Sequence, residues 1–372
     1  MSAISGPINQ SALNISTSNT SSIFDAAHVA AVSIGCNYEI TERLNIRFPL
    51  LVILLVALCC FGTIGNFLSV LVFTRRSMRS SASNIFLAAL AFCDTGVLWA
   101  TILLYSAEVY YDYTRNVTMY IAWFGYVRVV FALSHVFQVS TVYLTVSATA
   151  ERWINVRHPY FAAHYCRPKC VLGIVGIVLT CVVALNICRY FELAVYEDLN
   201  CTRTFGRFRL APGPLLQNEY YVIVYSTWLT NILFIFIPFI FLLAVNLYVT
   251  LSIYRPAEEV AGSSIFLPLQ KRLEDRVRRQ KAREATVILV VVVFVFLICN
   301  APGLLLSIME QAVPEFLSIH YVFYSFARDA TNILTSINSA CNFPIYVVFG
   351  HDFRQKLKKV LGIVLLRERY LK

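Results

Sequence analysis

Seven long apolar segments, separated by short polar stretches, make up most of the sequence. They lie at about residues 49–74, 82–107, 120–149, 171–188, 220–254, 285–310 and 318–348. A helix of about 20 apolar residues crosses the core of a bilayer, and only helices or closed β-barrels satisfy their backbone hydrogen bonds there. The strict alternation of polar and apolar residues that a barrel needs is absent. The sequence therefore predicts an all-α membrane protein, a bundle of seven transmembrane helices.

The basic residues predict how this bundle is oriented. The net charge is +10, and lysine and arginine are concentrated after the first, third, fifth and seventh segments. Such loops face the cytoplasm, so we expect a multi-pass plasma membrane protein with its N-terminus outside and its C-terminus in the cytoplasm. Because the basic residues lie between apolar segments and do not form one soluble face, nucleic acid is not an expected partner.

Polar sequence precedes the predicted seven-helix bundle of residues 47–350. Residues 1–46 are rich in Ser, Asn and Thr, and they lack a basic stretch followed by an apolar one. We therefore expect an extracellular tail without a cleavable signal peptide. N-x-S/T acceptors in this tail and in later loops predict glycosylation at Asn9, Asn14, Asn19, Asn116 and Asn200.

The cytoplasmic segment 351–372 carries a helical pattern. Phe353, Leu357, Leu361 and Val364 recur at helical spacing among lysines. This pattern predicts a short amphipathic helix on the inner leaflet, where basic residues meet anionic membrane lipid. A frayed tail is the alternative.

Strongly polar residues inside the apolar segments are costly, so they suggest a function. Asp94 lies in the middle of the second segment, Thr141 in the middle of the third, and Asn338 and Asn342 in the inner half of the seventh. Oxygen atoms around a carboxylate suit a hard cation. We therefore expect an allosteric sodium ion at these four residues and no other cofactor. Unrelated hydrogen bonds between helices are the alternative.

Five short motifs occur in a consistent order and at matching depths. They are Gly65-Asn66, Leu90-Ala91-Phe92-Cys93-Asp94, Glu151-Arg152-Trp153, Phe296-Leu297-Ile298-Cys299-Asn300-Ala301-Pro302 and Asn342-Phe343-Pro344-Ile345-Tyr346. Together they resemble the signatures of rhodopsin-like G-protein-coupled receptors over about residues 48–360. Residues 137–145, 151–159 and 186–192 resemble, more narrowly, the invertebrate FMRFamide-receptor-like branch of peptide receptors.

The resemblance implies a receptor that activates a heterotrimeric G protein when an extracellular peptide binds. In the family the helix 3 arginine, here Arg152, meets the G protein when helix 6 moves outward, and Glu151 would hold it in the resting state. The resemblance extends roles in activation to Asn246, Phe296, Asn342 and Tyr346. No nucleophile–base pair or phosphate-binding loop is present, so we do not expect an enzyme.

The sequence departs from the family pattern at several positions. Asn300 stands where most members have a tryptophan in helix 6, and Phe343 replaces the proline of the helix 7 motif. Ala282 stands where an acid of helix 6 often pairs with the helix 3 arginine. We therefore expect a different helix 6 trigger and a shifted kink in helix 7. The acid that would form an ion-pair lock with the helix 3 arginine is missing at its usual position, and Glu284 is the alternative partner.

The resemblance also narrows the ligand class. Amine receptors carry an aspartate eighteen residues before the helix 3 arginine, and opsins a lysine six residues before the helix 7 asparagine; these positions are Ser134 and Ser336. The predicted outer half is rich in aromatic and acidic residues, which suits a cationic, aromatic peptide such as an amidated FMRFamide-like neuropeptide.

Candidate peptide contacts lie near the outer helix ends. Glu108 and Glu192 are close to the bilayer boundary, where a ligand arginine would form a charge-assisted hydrogen bond. Deeper side chains that could hydrogen-bond a C-terminal amide are His135, Gln138, Asn300 and Asn332. For Glu192, a structural ion pair with Arg189 is an equally weighted alternative.

The resemblance further implies a disulfide at the outer end. Most members tie helix 3 to the loop after helix 4, but here the helix 3 position is Val127 and no cysteine occurs between Cys93 and Cys166. Cys201 lies in the corresponding loop. We expect it to pair with Cys36 of the N-terminal tail, and Cys188 is the rival partner.

Two other functions stay open. A membrane transporter or channel fits less well, because transporters often show matching halves and seven helices do not divide evenly. A receptor-fold scaffold that does not couple to a G protein is the second alternative, and the intact Glu151–Arg152 pair argues against it.

Overall fold

Seven long helices form the computed structural model, which describes residues 44–79, 81–199, 201, 205–254 and 269–370. They are α1 Leu44–Phe73, α2 Ala82–Thr114, α3 Val117–Arg157, α4 Pro168–Phe191, α5 Tyr221–Val249, α6 Leu269–Ala312 and α7 Tyr321–Phe349. Six of them contain spans long and apolar enough to cross a membrane, and α7 meets the same criterion together with the helix that follows it. The predicted seven-helix transmembrane bundle is confirmed.

The reversal between α2 and α3 explains why both helices are longer than their apolar segments. Arg115 adopts a left-handed conformation with φ of 55° and ends α2. Asn116 then caps α3, because its Oδ1 accepts a hydrogen bond of 3.0 Å from the backbone N–H of Met119. The last turns of α2 and the first turn of α3 contain polar and aromatic residues. They are helical although they lie outside the apolar segments of the sequence.

A short β-hairpin follows α4. Strand β1 (Leu193–Glu197) pairs with the antiparallel strand β2 (Phe208–Pro212), with Leu193 opposite Pro212 and Glu197 opposite Phe208. We call the end of the bundle that carries this hairpin the hairpin end and the opposite end the Arg152 end.

Helix α8 (His351–Tyr370) follows α7 after a bend of 101°. Arg354 donates hydrogen bonds to the carbonyl oxygens of Val347 and Val348, which lie in the last turn of α7 and lack helical partners. Phe353, Leu357 and Val360 are buried in the core at the Arg152 end.

The buried stripe of α8 differs from the predicted one. Val360 is buried where the sequence pattern pointed to Leu361, which is 42% exposed, and the side chain of Val364 lies outside the described residues. The stripe drifts by one residue because α8 packs on the rings of Phe73 and Tyr346, at centroid distances of 5.2 and 5.6 Å from Phe353.

Helices α1 and α7 approach closely near the middle of the bundle. A Cβ atom added to Gly65 would lie 2.8 Å from the Cβ of Phe343, so a larger residue there would push the helices apart. This contact gives the Gly65-Asn66 motif a packing role, and it places Phe343, the departure from the family's proline, directly against the glycine.

Helix α5 departs from α-helical geometry in its half nearest the hairpin end. Residues Tyr221–Leu229 and Ile232–Phe236 are π-helical. Side chains of neighbouring helices bind this wider backbone: the Tyr143 hydroxyl donates to the carbonyl of Leu233 at 2.9 Å. π-Helical turns are rare and are frequently found at functional sites.

Candidate functional site

A buried polar cluster connects α1, α2 and α7. Asp94 is fully buried, and its Oδ2 accepts a 2.7 Å hydrogen bond from Nδ2 of Asn342. Nδ2 of Asn66 donates to the backbone carbonyl of Ser339 at 3.0 Å. Oδ1 of Asp94 and Oδ1 of Asn66 have no hydrogen-bond partner among the described residues. Two buried oxygens of this kind fit a bound cation or an ordered water molecule.

The other two residues of the predicted sodium site are also buried. Thr141 donates its hydroxyl proton to the carbonyl of Gln138 at 2.8 Å, which leaves its oxygen lone pairs for another partner. Asn338 lies one helical turn before Asn342 on α7. The structure thus joins Asp94 and Asn342 directly and leaves Thr141 and Asn338 as further oxygen donors.

At the Arg152 end, the carboxylate of Glu151 is held from two sides. Ser83 donates to Oε2 and Asn155 donates to Oε1, each at 2.6 Å. Nε of Arg152 is 3.7 Å from Oε2, which is within ion-pair range but too long for a hydrogen bond. Arg152 is therefore paired with Glu151 electrostatically, without a direct hydrogen bond to its carboxylate.

The other predicted activation residues lie close to this end. Nδ2 of Asn246 donates to the carbonyl of Val290 at 3.3 Å and so joins α5 to α6. Phe296 is buried in the core on α6. The ring of Tyr346 packs edge-on against Phe73, but its buried hydroxyl has no hydrogen-bond partner within the described part of the chain. An unsatisfied buried hydroxyl is costly, so a rearrangement that gives Tyr346 a partner would be favoured.

At the hairpin end, Glu192 forms the structural pair that the sequence offered as an alternative. Nη1 of Arg189 lies 2.9 Å from each carboxylate oxygen of Glu192, and the Tyr221 hydroxyl donates to Oε1 at 2.7 Å. Nη2 of Arg189 donates to the Thr230 hydroxyl at 2.8 Å. Both charged side chains are buried. Because its charge is already neutralised inside the protein, this pair favours the structural role of Glu192, and its role as a ligand anchor stays a prediction.

A second buried pair closes the bundle between α1 and α7. Arg47 binds Asp329 with two parallel hydrogen bonds, Nε to Oδ2 at 2.8 Å and Nη2 to Oδ1 at 3.0 Å. Glu108, the other predicted anchor, is buried on α2 and lies close enough to interact electrostatically with Arg47. Glu310 on α6 is more open, with its side chain 38% exposed, but it is also paired: Oε1 accepts from the Tyr324 hydroxyl at 2.7 Å and from Nη1 of Arg328 at 3.3 Å.

The deeper candidates present hydrogen-bond acceptors. Nδ1 of His135 lies 3.0 Å from the carbonyl of Phe131, so the proton resides on Nδ1 and Nε2 is left as an acceptor. Nδ2 of Asn300 donates to the carbonyl of Phe296 at 2.8 Å, which leaves Oδ1 as a second acceptor. Gln138 and Asn332 are half-buried on α3 and α7. Such acceptors suit the two N–H donors of a terminal amide.

The sequence as a whole matches one receptor family. The family described as serpentine type 7TM GPCR chemoreceptor Srw matches residues 53–364, which is most of the chain. The chain belongs to this family of G-protein-coupled receptors.

Several receptors are similar to this family member. The FMRFamide receptor of Drosophila melanogaster is 29% identical over 352 residues, which cover 88% of this chain and 56% of that receptor. The FMRFamide peptide receptor frpr-18 of Caenorhabditis elegans is 27% identical and covers 84% of this chain and 68% of its own length. Somatostatin receptor type 5 of Bos taurus is 24% identical over 83% of this chain and 75% of that receptor. The chain thus spans little more than half the length of the fruit-fly relative.

These matches confirm the resemblance to rhodopsin-like receptors and to their FMRFamide branch. They give no support to the transporter or channel alternative, because the matched proteins are receptors.

The cysteines and glycosylation acceptors of this receptor are described only in part. Cys201 is disulfide-bonded, and the rival partner Cys188 carries a free thiol. Cys36, Asn9, Asn14, Asn19 and Asn200 lie outside the described residues. Asn116 caps α3 through Oδ1, so its Nδ2, the atom to which a glycan is attached, is not used by the cap.

Sequence reasoning missed several residues of the site. Ser83 and Arg47 donate buried hydrogen bonds to acids and Asn155 donates a partly buried one, yet none of the three stood out as a candidate. Asn155 had a local signal, because it follows Glu151 by four residues, the spacing of neighbours on a helix. Ser83 and Arg47 had none, because their partners are 68 and 282 residues away in the chain.

Proposed function

We propose that the chain is a plasma membrane receptor for an extracellular, amidated FMRFamide-like neuropeptide and that it activates a heterotrimeric G protein. The observation that carries this proposal is the state of Arg152, which is 15% exposed at one end of the bundle and held by an ion pair without a hydrogen bond. The match to a family of G-protein-coupled receptors over residues 53–364, which is most of the chain, also supports this proposal. The hairpin end faces outward in this proposal and the basic Arg152 end faces the cytoplasm.

Activation follows from differences in affinity between two packings of the bundle. A peptide that binds the hairpin end more tightly when α6 has moved shifts the population towards that arrangement. Arg152 then leaves Glu151 and meets the G protein, while Ser83 and Asn155 keep the carboxylate in place. The unpaired hydroxyl of Tyr346 gains a partner, which favours the active packing. The chain itself supplies no catalysis in this scheme.

The ligand chemistry rests on acceptors and acids at the hairpin end. His135 and Asn300 would accept the hydrogens of the terminal amide, with Gln138 and Asn332 near them. For a ligand arginine, Glu108 stays the candidate anchor, whereas Glu310 is already paired with Arg328. Membrane lipid is a further partner, bound along the apolar faces of the bundle and the basic face of α8.

A cell-based screen tests this function. Calcium and cyclic-nucleotide responses would be recorded with a panel of amidated peptides and with their free-acid forms as matched controls. We expect an amidated Arg-Phe peptide to act at a concentration at least about 10-fold lower than its free acid, because the acid loses an amide donor and adds a charge. Equal potency of both forms would contradict the amide contact.

We also propose that sodium binds at Asp94, Thr141, Asn338 and Asn342. The two unpaired oxygens of Asp94 and Asn66 support this site. Sodium would then lower agonist affinity, by about 5-fold or more, because it binds the resting packing more tightly. Asp94→Asn should abolish this dependence. Identical agonist affinity of the unmutated receptor in sodium and in a bulky inert cation would show that no such site exists.

The disulfide of Cys201 is proposed to reach Cys36. Nine other cysteines carry free thiols, Cys188 among them, which supports the tail cysteine as the partner. Peptide mapping under non-reducing conditions should yield one linked peptide that contains both Cys36 and Cys201. A free thiol at Cys36 in folded receptor would refute the pairing.

A further inference from the structure

Tyr120 lies in the first turn of α3, where the chain enters the bundle from the hairpin end. Its ring is fully buried in an aromatic cluster. The ring centroids of Phe124, Phe205 and Tyr111 lie 5.0, 4.8 and 5.4 Å from that of Tyr120. Two of these rings belong to the ends of α2 and α3, and Phe205 belongs to the turn of the β-hairpin. Tyr120 therefore lies at the junction of the hairpin and the bundle.

The hydroxyl of Tyr120 makes three hydrogen bonds with the backbone of the hairpin. It donates to the carbonyl of Phe208 at 3.0 Å and accepts from the N–H groups of Phe208 at 3.1 Å and Gly206 at 3.2 Å. Gly206 has a φ of 92°, a conformation that favours glycine and turns its N–H towards the tyrosine. The proton and both lone pairs of this hydroxyl are thus used on one turn of the hairpin.

Helix α3 contains no cysteine, so no disulfide can link the hairpin to it. The position that carries the disulfide cysteine in the receptors that this chain resembles is Val127, which is buried in the same cluster. The sequence contains no cysteine from residue 94 to residue 165. We propose that Tyr120 is the positioning residue that fastens the β-hairpin to α3 by hydrogen bonds, and that this fastening holds the hairpin as a lid that retains the bound peptide.

The role of the hairpin as a lid rests on the proposed function as a peptide receptor, whereas the attachment of the hairpin to α3 by the hydrogen bonds of Tyr120 does not. The hairpin would then be tied at two points, through Tyr120 to α3 and through the disulfide of Cys201. A reducing agent breaks the disulfide of Cys201 and leaves the hydrogen bonds of Tyr120 intact. The two ties therefore differ in their response to a reducing agent, and a variant of Tyr120 exposes that difference.

Tyr120→Phe removes the hydroxyl and keeps the ring. The matched control is Tyr126→Phe, because Tyr126 is on the same helix and in the same cluster but donates to the carbonyl of Leu103 on α2. In full-length receptor, amide hydrogen exchange at Gly206 and Phe208 should become at least about 10-fold faster in Tyr120→Phe, since both donors lose their acceptor. Adding dithiothreitol should accelerate exchange across residues 193–212 further in Tyr120→Phe and only slightly in the unmutated receptor.

The dissociation rate of a labelled amidated Arg-Phe peptide gives the second readout. It should rise about 10-fold in Tyr120→Phe and stay unchanged in Tyr126→Phe. Unchanged exchange at Gly206 and Phe208, or an equal effect of both variants, would overturn the fastening. Faster exchange with unchanged peptide dissociation would overturn the lid. If no amidated peptide binds the unmutated receptor, the proposed function fails, while the exchange rates still decide the fastening.

Discussion

Replacing Glu192 with glutamine is expected to destabilise the folded receptor by roughly 3 kcal/mol, because the buried guanidinium of Arg189 loses its counter-charge. Both oxygens of Glu192 accept from Arg189, and Tyr221 binds one of them, so the change affects α4, α5 and the start of the hairpin together. Buried free thiols give the measurement: Cys59, Cys93 and Cys299 should react with a thiol-sensitive dye on heating. We expect the midpoint to fall by roughly 5–10 °C.

Glu197 supplies the matched control for this prediction. It lies on the same hairpin and accepts a 2.7 Å hydrogen bond from Nε of Arg207, but both side chains are more than two-fifths exposed. Solvated pairs of this kind contribute about 0–1 kcal/mol, so Glu197→Gln should unfold close to the unmutated receptor. The structural role of Glu192 would be wrong if Glu192→Gln kept its stability and weakened an arginine-containing agonist about 100-fold but not its citrulline analogue.

Arg152→Ala is expected to reduce agonist-stimulated nucleotide exchange by about 100-fold or more, because a charged contact with the G protein typically contributes a few kcal/mol. Peptide affinity measured with excess GTP should stay unchanged, since Arg152 follows His135 by 17 positions on α3, which separates the two sites by about 25 Å. Measuring peptide binding and nucleotide exchange in the same membranes separates the two effects.

Arg157 provides the control at the same end. It is an exposed arginine in the last turn of α3, so Arg157→Ala removes the same charge from the same helix. Normal coupling by Arg152→Ala, or an equal loss in both variants, would show that Arg152 is not the specific contact.

The seven helices could be predicted because membrane crossing imposes a length and a composition on each of them. Their ends could not, since the turns outside the apolar region follow local capping: α2 runs to Thr114 and α3 begins at Val117 because of Arg115 and Asn116. The π-helical stretches of α5 were not predictable either. The apolar residues of segment 221–236 are not confined to one helical face, so their periodicity does not record how the backbone is wound.

Asp94 and Asn342 could be predicted as site residues because burying strongly polar side chains inside a membrane costs free energy. In the structure these two side chains are hydrogen-bonded to each other. The hydrogen-bond partners of other site residues come from distant segments of the chain and could not be predicted. The pair of Arg47 with Asp329 and the contact of Ser83 with Glu151 arise only after the helices have packed. For Glu192 the local spacing to Arg189 allowed both roles, and only the distance between their side chains favours the structural one.

Binding of a non-hydrolysable GTP analogue to membranes that contain this receptor and a heterotrimeric G protein tests directly whether the peptide-bound receptor activates the G protein. We expect an amidated Arg-Phe peptide to increase this binding several-fold in membranes with the unmutated receptor. We expect no increase with Arg152→Ala or in membranes without receptor. A receptor-fold scaffold that does not couple to a G protein would give no increase in GTP-analogue binding on adding the peptide, either in the unmutated receptor or in Arg152→Ala. That result would contradict the proposed function.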